Sequence, residues 1–215
     1  MKSSDLKKPF PILEIAKINI QHNALLSIIV CIVIIILTPI IVGTANLDSN
    51  TSALPMEMFV SLIGIAILTP IFQPEQHSDI NDLVSSKYIN TTTIYIIRTI
   101  YSIIFLTIFI SLFSVYMYIR HCDITLWLII GTISDAIFLG SLGMIASSIC
   151  NNTIVAYMVP TVFYALNYGM GSKLKNFYLF SMTMGQFTPK MWMLATGILL
   201  IITAILLKEI QKKFR

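Results

Sequence analysis

Long apolar runs separated by short polar stretches organise the chain from its first third to its end. A helix needs about 20 apolar residues to cross a bilayer, and runs of about that length recur six times. They predict spans at about 24–44, 56–72, 94–119, 124–149, 153–171 and 191–207. The breaks between them are polar: 45–55 (ANLDSNTSALP), 73–93, Arg120-His121-Cys122-Asp123, Cys150-Asn151-Asn152 and 172–190. Before the first run, Glu14, Lys17 and Gln21 recur at helical steps. Ile12, Leu13, Ala16 and Ile20 fall on the opposite face, although Phe10 lands with the polar set. That pattern predicts an amphipathic helix within residues 1–23, lying in the membrane interface. The run at 24–44 follows a 23-residue leader and shows no small-residue cleavage pattern, so it is expected to be retained.

Composition reinforces the pattern. Of 215 residues 56% are hydrophobic and only 11% charged, against about 25% charged in a soluble domain. The expected class is an all-α membrane protein, six transmembrane helices preceded by an amphipathic helix. Little chain is left for a second, water-soluble domain. The net charge of +4 comes mostly from bases near the ends and calls for no nucleic-acid partner. With six spans, the leader, the 73–98 segment and the tail share one side and carry ten Lys/Arg. Arg120, Lys173, Lys175 and Lys190 are left for the other side. That asymmetry puts both termini in the cytoplasm, and the expected location is the plasma membrane. Cys31, Cys122 and Cys150 form neither a disulfide framework nor a metal spacing.

Catalytic constellations are missing from the sequence. It has no phosphate-binding GxxxxGK[ST], no HExxH and no GxSxG. His22, His77 and His121 fall in three separate segments outside the spans, so no metal site and no catalytic residue are expected. Asp135 is the exception that needs a reading, because a carboxylate at bilayer depth marks a functional position by default. Helix packing, cavity lining and proton carriage remain open for it, as does pairing with Arg98 or with a neighbouring subunit. No second acid is expected deep in another span, and Glu57 reads as sitting at the outer edge of the second run.

Between the second and third runs, Pro74 suits the first turn of a helix, with Glu75 close behind it at the positive end of the dipole. A short helix over about 74–86 then presents Ile80, Leu83 and Val84 on one face, rimmed by Glu75, Asp79 and Asp82. Such a helix could equally lie flat against its own bundle; three acids against Lys87 disfavour anionic lipid and tip the reading toward a protein partner.

The order of these features resembles the ABC type-2 transporter permeases, in the small six-span form of bacterial peptide and bacteriocin exporters. Pro70, Phe72, Glu75, Asp82, Leu83, Ser86 and Arg98 carry the likeness, followed by Gly140-Ser-Leu-Gly143-Met-Ile and Asn151-Asn152-Thr153. The resemblance implies a permease that pairs with a second, identical or paralogous, permease subunit. Each half would engage a separate ATP-binding cassette ATPase that binds ATP-Mg. The 74–86 segment would be the coupling helix, with Glu75, Asp79, Asp82, Leu83 and Val84 as contact candidates. Asp135 and Arg98 would lie on the translocation path or in helix packing, and the leader would be a connector helix.

By the same likeness, residues 172–190, with Phe177, Tyr178, Phe180 and Phe187, would fold back as short helices; an interfacial loop with no gating role is the other reading. The lack of an extracellular domain points to amphipathic peptides or similar hydrophobic cargo. Two other classes stay open: an ion- or proton-coupled carrier using Asp135, and a non-transporting membrane anchor or immunity subunit.

Overall fold

The computed structural model describes residues 25–76 and 91–213. The leader with its expected amphipathic helix, and Asp79, Asp82, Leu83 and Val84 of the 74–86 segment, lie outside the described residues. Within them the chain is all-helical, and no strand occurs. Seven α-helices follow in order: α1 (Leu25–Val42), α2 (Ser49–Met58), α3 (Ile63–Leu68), α4 (Thr91–Ile119), α5 (Leu126–Cys150), α6 (Thr153–Met170) and α7 (Thr188–Lys213). Short 3-10 stretches link them at Val60–Leu62, Thr69–Gln76, Gly171–Phe177 and Met182–Met184.

Among the described residues, five segments are long and apolar enough to cross a membrane: Leu25–Val42, Ser49–Pro74, Thr92–Ile119, Leu126–Cys150 and Thr188–Gln211. The protein therefore belongs to the helical membrane class. The run at 153–171 forms α6, of 18 residues, but Thr161, Asn167 and three tyrosines dilute its apolar character. Two other expectations shift. The second span begins near Ser49 and not near 56, so Glu57 lies inside it. Pro74 sits within the 3-10 stretch that runs on from α3, and not in the first turn of a separate helix.

Helix α5 is the centre of the bundle, packed by α7, α6, α3 and α4. Small residues make that possible. A Cβ on Gly64 of α3 would stand 1.8 Å from the Ala136 carbonyl oxygen. One on Gly140 would stand 2.5 Å from the Gly64 oxygen, and one on Gly143 would stand 2.2 Å from Thr69 Oγ1. Lipid offers helices no hydrophobic reason to associate, so close backbone approach and van der Waals packing must supply it. The Gly140 and Gly143 that helped carry the family likeness thus have a local task of their own.

Asn151 and Asn152 are likewise explained locally. Asn151 ends α5 in the left-handed region (φ 48°), and the Asn152 side chain accepts the Ile154 N–H at 2.8 Å to start α6. Asparagine tolerates the first conformation and is among the best residues for the second.

The loops sort to two ends. At one, the Asn46 N–H donates to the Arg120 carbonyl and the Asp123 N–H to the Leu47 carbonyl, so loops 43–48 and 120–125 are tied together. Segment 171–187 joins them, with Met182–Met184 against α2. At the other end, Arg98 Nη1 donates to the Ile71 carbonyl at 3.2 Å, and Phe72 meets Tyr95 edge-on at 4.9 Å. Lys208 there reaches Asn151 and the Phe72 ring, and Gln211 Nε2 donates to the Ser148 carbonyl at 2.8 Å.

Candidate functional site: a buried charge cluster beneath a folded-back segment

The second span is not one continuous helix. After α2 the ladder tightens through Val60–Leu62 before α3 resumes. Such a break frees carbonyls, and in an apolar interior they need partners. Ser61 Oγ donates to the Glu57 carbonyl at 2.5 Å, and the Tyr164 hydroxyl, from α6, donates to the Met58 carbonyl at 2.6 Å.

One turn before this break stands Glu57, whose side chain is wholly buried. Across from it on α5, Asp135 is buried just as completely. Nine residues into α5, it lies about 14 Å along the helix from Leu126. Lys190, two residues into α7 and 2% exposed, bridges the two acids. Its Nζ is 2.7 Å from Glu57 Oε1 and 2.7 Å from Asp135 Oδ2. It also donates to the Leu179 carbonyl. Gly131 gives this lysine room: a Cβ there would stand 2.2 Å from Met182 Sδ and 3.4 Å from Lys190 Cγ.

Above the cluster lies segment 171–187. Leu179, Ser181 and Met182 are almost wholly buried, though the backbone there is irregular. Irregular backbone inside a membrane protein survives where protein groups or a water-filled cavity satisfy it. Glu57 does much of that: Oε1 accepts the Met182 N–H at 2.7 Å and Oε2 the Thr183 N–H at 3.2 Å. Asn167 of α6 adds two more bonds, donating to the Phe177 carbonyl at 3.1 Å and accepting the Leu179 N–H at 2.8 Å. Phe138 meets Phe163 edge-on and lies tilted against Phe177, while Phe180 meets Tyr164, Tyr168 and Tyr178 edge-on. Burial pushes the Tyr178 phenol above its ordinary range; the Glu57 carboxylate adds to that and Lys190 opposes it.

Asp135 and Arg98 are not brought together. Asp135 binds Lys190 of α7, whereas Arg98 is tied to Ile71 at the other end of the bundle. The expectation of a single deep acid also fails, because Glu57 is a second one. Lys190, expected among the solvent-facing bases of a loop, is buried and leaves only Arg120, Lys173 and Lys175 for that side. Glu57 and Lys190 each sit where a polar stretch passes into an apolar run, and Asn167 sits inside one. A polar residue isolated beside or within an apolar run was the available signal. Of the proposed coupling residues, only the backbone of Glu75 is described, at the end of the Thr69–Gln76 stretch. The described residues hold no group of three or more His, Cys, Asp or Glu that could bind a metal ion. Compared with family models, curated proteins and solved structures, the chain matches none of them.

Proposed function

We propose that this chain is the transmembrane permease subunit of an ATP-driven exporter, working as a pair of six-crossing halves with a separate ATPase on each. The observation that carries the proposal is segment 171–187, drawn inward between α6 and α7 as short helices and held by buried polar groups. A protein that served only as an anchor would have no need of such a costly element beside its last crossing.

In this account α6 is the fifth of six crossings. It starts at Asn152, beside the end that Lys208 and Gln211 occupy, and its Asn167 reaches the segment at the opposite end. Fifteen residues of helix separate the two, about 23 Å. Both ends of the chain are then cytoplasmic, as the charge asymmetry favours. ATP-Mg binds on the partner, and residues 74–86, through Glu75, Asp79, Asp82, Leu83 and Val84, transmit its closure to the bundle. The cargo would be amphipathic peptides or similar hydrophobic molecules, entering in part from the membrane.

Copurification in mild detergent tests the proposal. The tagged chain is co-expressed with an ATP-binding cassette ATPase encoded beside it, and wild type is compared with Glu75→Arg and Leu83→Asp. A stable complex lost in both variants is the expected result. If a well-expressed wild type brings down no ATPase, the exporter assignment falls. The carrier alternative separates once the purified chain is reconstituted into sealed vesicles, since it requires flux that is abolished by Asp135→Asn and needs no ATPase.

A further inference from the structure

Glu57 and Asp135 present two carboxylates to one ammonium, with Lys190 Nζ 2.7 Å from each. If all three were ionised, the cluster would carry one uncompensated negative charge in an interior closed to water, at a cost that pairing alone does not repay. One added proton makes it neutral.

The two acids differ in their hydrogen bonds, and the difference says which would hold that proton. Glu57 is surrounded by donors: the Met182 N–H and Lys190 at Oε1, and the Thr183 N–H at Oε2. Such a set favours the ionised carboxylate. Asp135 receives Lys190 at Oδ2, while its buried Oδ1 has no hydrogen-bond partner among the described residues. Ser181, next in the chain to Met182, holds a second buried oxygen in the same condition.

The ionisable neighbours are few. From α2 comes Glu57, from α7 Lys190 and from the folded-back segment Tyr178, which lies in the field of both. In α6, Tyr164 spends its hydroxyl on the Met58 carbonyl. In α4, Arg98 is tied to Ile71 at the far end, and α3 has no ionisable side chain.

We propose that Asp135 is a proton-binding site: it takes a proton from water and stands as a buried carboxylic acid beside an ionised Glu57–Lys190 pair. The step forms one O–H bond on a carboxylate oxygen of Asp135 and breaks one in an aqueous hydronium, which leaves as water. Its loss places a second anion on Lys190, in competition with Glu57 and the Leu179 carbonyl, and so loosens the seat of residues 179–183. Rising pH therefore favours release of the segment, and falling pH its retention. The inference does not rest on the exporter assignment.

Infrared spectroscopy of the purified protein in lipid membranes tests it, first without any substitution. Protein is prepared with the side-chain carboxyl carbons of either Asp or Glu labelled with heavy carbon. At neutral pH the expected spectrum contains the carbonyl band of a buried carboxylic acid, moved by the Asp label and unmoved by the Glu label. No such band, or a band moved by the Glu label, overturns the proposal. Two variants extend the test. Asp135→Asn should lose the band completely. Glu57→Gln should lose it too, because the remaining acid then has Lys190 to itself and ionises. A band that persists in either variant contradicts the assignment.

Discussion

Helices α1 and α5 look alike as apolar runs, yet they occupy opposite positions in the molecule. In α1, built of Ile, Leu and Val, only 17% of the spanning window is buried, whereas in α5 the figure is 72%. Apolarity does not separate them, because lipid is as apolar as a protein core. Size does. Helix α1 buries one narrow stripe, Ser27, Cys31 and Thr38, and turns its large side chains outward. Helix α5 carries Gly131, Ala136, Gly140, Gly143 and Ala146, and its neighbours come close enough to enclose it. Once enclosed, it can hold an acid that α1 could not.

The largest effect should come from breaking the charge that this enclosure protects. Lys190→Met leaves Glu57 and Asp135 without their cation and should cost about 3–5 kcal/mol, the usual penalty for removing one partner of a buried ion pair. It would appear as a large fall in the thermal unfolding midpoint in detergent. Adding Glu57→Gln and Asp135→Asn to the same chain should recover part of the loss, which a purely steric role for Lys190 would not allow.

Next comes the seam itself. Gly64→Val drives a side chain into the Ala136 backbone and should cost at least the 1–3 kcal/mol or so of ordinary overpacking. The same assay reads it, and a neutral result would mean that α3 and α5 are not in close backbone contact. Tyr164→Phe should cost about 1–3 kcal/mol by leaving the Met58 carbonyl buried without its donor. Smallest of all, Ile36→Ala on the outward face of α1 should change stability by no more than about 0.5 kcal/mol. A cost like that of the α5 changes would show that α1 is covered by something other than lipid.

Much of this architecture was legible from apolar run length alone, because crossing a bilayer imposes a length that the sequence must spell out. Five of the expected runs coincide with helical segments long and apolar enough to cross a membrane, though the second begins earlier than its polar flank suggested. Pairing across the bundle was not legible. Glu57, Asp135 and Lys190 lie far apart in the chain, and no periodicity links them. Lys190 follows Phe187-Thr188-Pro189, which reads as the end of a loop, and its long stem carries the ammonium inward from there. Glu57 looked like the edge of a span because the residues before it, Ser49 to Ala53, are small and polar. They are helical nonetheless, and that places Glu57 inside. Asp135 was singled out correctly as needing an explanation, while Arg98, the cation first considered for it, belongs to the other end.

A charge cluster holds residues 179–183 inside the protein, and thiol labelling tests this most directly. With Cys31, Cys122 and Cys150 replaced by Ala, a single cysteine is placed at Met182, or at Asn46 as an exposed reference, and membrane-impermeant reagent is added to sealed vesicles of known orientation. Met182→Cys should stay unlabelled where Asn46→Cys reacts readily, and should become reactive when Lys190→Met is added. Equal labelling of the two positions in the presence of Lys190 would contradict the account.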